Sequence, residues 1–170
     1  MFLEKRKIMR FILIDKILKI ERDKRITAVK SIALSEEVFR DHFVGYPVMP
    51  GSLMIESVAQ AATALLEISA DYKMKAILTI VEKAKFRELI KPGITIVINV
   101  NIISVQENSA LLEGYIQLGE KLVMDCKLVF VLKPVDIFYP QKVRAFMDSI
   151  YEYWLEGAEL IGFKSERGEI

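Results

Sequence analysis

The sequence predicts an α+β domain in which a curved antiparallel sheet wraps around a long buried helix. Three observations predict it. An apolar hairpin opens the chain, SLMIESVAQAATALLEISA at 52–70 runs without Gly or Pro and is apolar on almost every face, and four strand-like segments follow. A helix that is apolar all round can be buried only if a sheet curves about it.

The elements follow in order. RFILIDKILKI and RITAVKSIAL are rich in β-branched residues and flank Glu21-Arg22-Asp23-Lys24, so a β-hairpin is expected across 11–33. Ser35, ahead of Glu36, Glu37 and Val38, reads as the N-cap of a short helical turn. Residues 41–51 contain Gly45, Pro47, Pro50 and Gly51 and cannot be regular structure. The helix is expected from Ser52, which reads as its N-cap. AILTIVEKAKFREL, ITIVINVNIISVQ, ALLEGYIQL and KLVMDCKLVFVL come next, punctuated by Lys91-Pro92-Gly93, Glu107-Asn108-Ser109 and Gly119-Glu120. Such a run suggests successive antiparallel hairpins. Past Pro134, the spacing of Val143, Phe146, Met147, Ile150, Tyr151, Trp154 and Leu155 predicts an amphipathic helix over 141–156. Its polar face is mixed in charge, so it is expected to dock on the domain or a neighbouring subunit rather than on a membrane. The expected division is a domain at 1–133 and a helical extension at 134–170, with Ser165 to Ile170 frayed.

Composition narrows the function. At 170 residues the chain can bury a real core, and although 52% is hydrophobic, no apolar run reaches the roughly eighteen residues of a membrane span. A net charge of +1, from 24 basic and 23 acidic residues, provides no global field to attract nucleic acid or an anionic bilayer. One cysteine and one histidine cannot supply a disulfide framework or a conventional zinc site, which fits a reducing cytoplasm. Cys126 alternates with Met124 and Leu128 and reads as a small core residue. The start, MFLEKRKIMRFILIDKILKI, is basic then apolar like a signal peptide, but Asp15 and Lys16 interrupt it and no cleavage site follows, so it reads as mature structure.

The stretch DHFVGYPVMPGSLMIESVAQ, 41–60, carries the candidate chemistry. His42, the only histidine, stands in the broken loop; Glu56 lies in the second turn of the helix, with Gln60 one turn on and on the same face. Burial would raise the Glu56 pKa and suit it to donate a proton, while the helix N-terminus pulls the other way. Gly51 lets a ligand approach backbone N–H groups that have no partner within the helix, an anion site or oxyanion hole. A base near neutrality, an acid in an apolar wall and donors between them are the parts needed to take a proton α to a carbonyl and expel a β-substituent. No G-x-S-x-G elbow or Gly-rich phosphate loop is present. Lys83, Lys85 and Arg87 alternate on a strand, either a solvated face or a site for an acidic partner.

HFVGYPVMPGSLMIESVAQ resembles the signature of the 3-hydroxyacyl-acyl-carrier-protein dehydratases, a family with the hot-dog fold, and the likeness extends over about 10–133 through FILIDKILKIERDKRITAVKSI and KAKFRELIKPG. The resemblance implies His42 as catalytic base and Glu56 as acid, Gly51 N–H as donor to the thioester oxygen, the Val48 carbonyl as orienter of the imidazole, and Gln60 as the glutamine beside the acid. Glu rather than Asp at 56 points to the branch that does not isomerise the double bond. It further implies dehydration of a (3R)-hydroxyacyl thioester on acyl carrier protein, with no metal or organic cofactor. The acyl chain would lie in an apolar tunnel beside the helix. Protomers would form a homodimer or a trimer of dimers, with His and Glu of each site from different chains. Val44 and Tyr46 depart from the common HFPGRP, costing the loop a proline and a basic residue. Alternatives are a thioesterase of the same fold, which would not need His42, a non-catalytic acyl-binding module, and dehydration on coenzyme A thioesters.

Overall fold

A computed structural model describes residues 11–137 and 149–163. The hairpin forms as β1 (Lys16–Glu21) and β2 (Arg25–Ile32), antiparallel, with Asp23 in the left-handed region at φ 58°. Asp tolerates that conformation better than most residues, and its N–H donates to Ser69 Oγ at 3.0 Å. A register shift between Ile17 and Lys19 lets Ile17 and Ile20, three apart, both point inward. A 3-10 turn at Glu37–Arg40 follows. Its N-cap is Glu36, which makes no side-chain cap bond, so Ser35 does not cap it as expected. Glu36 instead accepts from Lys30 Nζ at 3.1 Å and from Ala33 N–H at 3.3 Å.

The long helix α1 (Gly51–Ser69) is followed by β3 (Met74–Phe86), β4 (Ile94–Val105), β5 (Ser109–Leu118) and β6 (Lys121–Pro134). Ile96, Ile98 and Val100 of β4, Leu112 and Ile116 of β5, and Met124, Cys126, Leu128 and Phe130 of β6 turn inward at alternate positions onto α1. With β7 (Glu159–Ile161) the order is β3-β6-β5-β4-β2-β1-β7. Two expectations need correction. β3 pairs with β6 rather than forming a hairpin with β4, because residues 87–93 carry the chain beneath the helix N-terminus, where Met49 N–H donates to Ile90 O at 2.7 Å. The sheet is also mixed, since β7 runs parallel to β1.

Gly114 on β5 lets sheet and helix meet: a Cβ there would lie 2.2 Å from Val58 Cγ1. Gly114→Ala is therefore expected to cost about 1–3 kcal/mol by overpacking. Adding Val58→Ala should return part of the loss in urea unfolding; a neutral Gly114→Ala would refute the close approach. Cys126 is buried, and burial pushes its thiol up to about 11, against a smaller opposing effect of a backbone hydrogen bond with Gly114. Folded protein at pH 8 should thus resist iodoacetamide that alkylates the urea-unfolded chain readily. Equal rates in the two states would contradict this.

Of the C-terminal stripe, Val143, Phe146 and Met147 lie outside the described residues, as do Ser165 to Ile170. Residues 149–155 are helical, and Tyr151 and Trp154 are buried in the common core with Ile150 and Leu155 packed against it. For these described residues, docking on the domain is one of the two positions expected of the stripe, the other being a neighbouring subunit. No helix among the described residues is long and apolar enough to cross a membrane.

Candidate active site

The loop before α1 is closed by its own backbone. Phe43 and Tyr46 exchange N–H···O bonds at 3.1 and 2.9 Å around Gly45, whose φ of +76° favours glycine, and Val48 N–H donates to His42 O at 3.0 Å. This turn sets the half-buried His42 so that Nδ1 lies 2.9 Å from the Val48 carbonyl oxygen. A carbonyl only accepts, so Nδ1 carries the hydrogen and the neutral ring keeps its lone pair on Nε2. The Phe43 ring stacks on the imidazole at 4.1 Å. Val44 is 86% exposed. Lys91 Nζ sits 4.3 Å from the Tyr46 ring centroid, so a cation stands beside the loop although Tyr46 itself is not basic.

Helix α1 starts at Gly51, with Pro50 as an N-cap that makes no side-chain cap bond. Ser52 is thus an exposed residue of the first turn, not the cap. The first-turn N–H groups, Gly51's included, are left without side-chain caps. The Phe86 ring packs over Gly51, where an added Cβ would meet it at 2.9 Å.

Glu56 is half-buried, and its Oε1 accepts from Gln60 Nε2 at 2.9 Å. Gln60 is itself held: Nε2 also donates to Phe11 O and Oε1 accepts from Leu13 N–H, each at 2.9 Å. The segment before β1 thereby orients the glutamine, and the glutamine orients the acid. Beside this face opens a cleft of about 650 Å³ lined by Phe11, Leu13, Val38, Pro50, Ser52 and Leu53 among others. Ser52 and Leu53 stand one turn before Glu56. Neither His42 nor Glu56 lines the cleft.

The basic strand residues are only partly available. Lys83 and Lys85 are exposed, but Lys85 stands opposite Asp125 in register and Arg87 is ion-paired with that Asp125. The apolar pattern of α1 also hides a second carboxylate. Glu67 is 6% exposed and accepts from Tyr151 Oη at 2.7 Å, Lys75 Nζ at 2.7 Å and Ala76 N–H at 3.1 Å. A charged residue inside an otherwise apolar helix end was the available signal.

The chain matches the FabA-like domain model over residues 5–132. It is 37% identical over 123 residues to the 3-hydroxyacyl-[acyl-carrier-protein] dehydratase FabZ of Pediococcus pentosaceus, covering 72% of this chain and 83% of that one. Against the FabZ of Koribacter versatilis it is 37% identical over 124 residues, 69% and 80% of the two chains. Among solved structures, smu.793 of Streptococcus mutans bound to acetyl CoA superposes with a TM-score of 0.59 at 11% identity, covering 77% of this chain and 97% of that one. The dehydratase heterocomplex ApeI:P of Xenorhabdus doucetiae gives a TM-score of 0.53 at 21% identity, covering 64% and 88%. These structural likenesses bear on the fold alone, and the fold is the hot-dog fold: a curved sheet around a central helix.

Proposed function

The chain belongs to the FabA-like family, and from that membership we propose that it is a hydro-lyase of fatty acid biosynthesis, converting (3R)-hydroxyacyl-[acyl-carrier-protein] to the trans-2-enoyl thioester and water. His42 Nε2 takes the α-proton. The Gly51 N–H at the start of α1 receives the thioester oxygen as negative charge develops there, where the helix dipole adds to the donor. Glu56, oriented by Gln60, gives its proton to the 3-hydroxyl as the C–O bond breaks. Protons balance: one reaches His42, one leaves Glu56, and hydroxide departs as water. The observation that carries this reading is the 2.9 Å contact between His42 Nδ1 and the Val48 carbonyl, which reserves Nε2 as a base.

The site is completed by a second copy, His42 of one protomer facing Glu56 of its partner. One feature supports that arrangement. β3 is an edge strand on which Ile80, Val81 and Phe86 are 43% to 53% exposed. An exposed apolar edge invites pairing with another copy. Exposed Lys83 and Lys85 offer an acidic carrier protein a complementary strip.

The test is turnover of a crotonyl thioester, on acyl carrier protein and on coenzyme A in parallel, following enoyl absorbance and free thiol together. Loss of enoyl absorbance without thiol release is expected, faster on the carrier protein. Thiol release instead would make the protein a thioesterase, and no reaction on either would overturn the reading.

A further inference from the structure

The loop that carries His42 is held to the body of the domain through two adjacent residues. Met49 N–H donates to Ile90 O at 2.7 Å, and Lys91 Nζ lies 4.3 Å from the Tyr46 ring centroid. The segment that offers those two contacts is itself fixed: Ile90 is buried, Arg87 N–H donates to Val123 O at 2.8 Å and Gly93 N–H to Ile32 O at 2.7 Å. Among the described residues no carboxylate pairs with Lys91, so the face of Tyr46 is the seat of its ammonium group. From Tyr46 the contacts run inward to the base. Its backbone exchanges hydrogen bonds with Phe43, and the Phe43 ring stacks on His42 with 27° between the planes.

The Val48 carbonyl fixes where Nδ1 sits but leaves the imidazole some freedom to tilt about that hydrogen bond. The Nε2 lone pair lies in the ring plane, so a base needs its plane fixed as well. A second ring stacked on the imidazole face removes that freedom. Phe43 is 57% exposed, and solvent on its far side offers no wall to keep it in place. Its position depends on the backbone turn with Tyr46, and the turn depends on what holds Tyr46. Resting on the proposed dehydratase reading, we infer that Lys91 is a positioning residue for the base: seated on Tyr46, it holds the Phe43–Tyr46 turn, keeps Phe43 on His42 and so aims Nε2 at the α-proton. Lys91 acts through Tyr46 and Phe43 and on this account touches no reacting atom. Its ammonium needs only an aromatic face, a contact that Arg also makes and that a neutral side chain of similar length does not.

The experiment compares the full-length wild type with Lys91→Met, Lys91→Arg and Tyr46→Leu. Because the chain holds one histidine, its imidazole proton signals are unambiguous in an NMR spectrum. Protons over the face of Phe43 are shielded, and Phe43→Leu defines their unshielded positions. Lys91→Met and Tyr46→Leu should each move the His42 ring signals towards those positions, and the two combined should move them no further. Lys91→Arg should hold the wild-type positions. On a 3-hydroxybutyryl thioester kcat should fall about two- to fivefold in Lys91→Met, which is what an exposed cation–π contact is worth, and recover in Lys91→Arg. The factor should be the same on acyl carrier protein and on N-acetylcysteamine, with KM and the melting temperature unchanged. A loss seen only as a higher KM on the carrier protein would make Lys91 a docking lysine and overturn the inference, as would ring signals that stay put in Lys91→Met. Absence of turnover by the wild type would instead refute the dehydratase reading, whereas the ring signals test the Lys91 contact without any turnover.

Discussion

His42→Ala is expected to lower kcat on a 3-hydroxybutyryl thioester by about 10³- to 10⁴-fold, with the state of association and the melting temperature unchanged. The loss is large because the loop commits one nitrogen to the Val48 carbonyl and leaves the other for the proton, and the chain holds no second imidazole to substitute. Glu56→Gln should cost a comparable factor, since an amide sits in the same Gln60 contact but cannot deliver a proton. With both groups acting in one transition state, as proposed, the double variant should lose little more than the worse single one. The two inactive chains also test the shared site. Refolded together, His42→Ala and Glu56→Gln protomers should regain activity that neither homo-oligomer has, since one interface then holds an intact pair. Retained turnover in His42→Ala would eliminate the base assignment, and failure of mixed oligomers to recover would eliminate the composite site.

Glu67→Ala is expected to destabilise the protein by about 3–5 kcal/mol, the cost of breaking a buried ion pair by removing one of its charges. Lys75 is 13% and Glu67 7% exposed at the side chain, so water cannot replace the lost contact. Lys75→Met should cost a similar amount for the converse reason. Glu67→Leu with Lys75→Met should recover most of it, because an apolar pair of similar volume avoids the desolvation of both charges. Tyr151→Phe removes the hydrogen bond to the Glu67 carboxylate and should cost about 1.5–3 kcal/mol. Denaturant midpoints at constant m decide the matter. Additive single losses in the double variant, with no recovery, would mean that the two side chains do not act as a pair.

The same two regions show what could be read early and what could not. The hairpin, the long helix and the extents of β3 to β6 were legible because each is a local pattern, period two for strands and unbroken apolarity for a buried helix. His42, Val48, Gly51, Glu56 and Gln60 fall within nineteen consecutive residues, so the motif itself placed them in order. The caps were misread at Ser35 and Ser52 because a hydroxyl near a helix start is common, while the chain here enters both turns through Glu36 and Pro50. β7 was missed since three residues, ELI, carry no periodicity.

By itself the sequence determined the element order, the apolar faces and the residues of the proposed chemistry, all of which depend on neighbours within a few positions. Only the tertiary structure decided which strands pair, that Gln60 takes its orientation from Phe11 and Leu13, and that Tyr151 closes over Glu67. Those contacts join residues 47 to 84 positions apart. Side-chain periodicity tells each element which face to bury but not against what; the choice of partner comes from packing the whole chain around one helix.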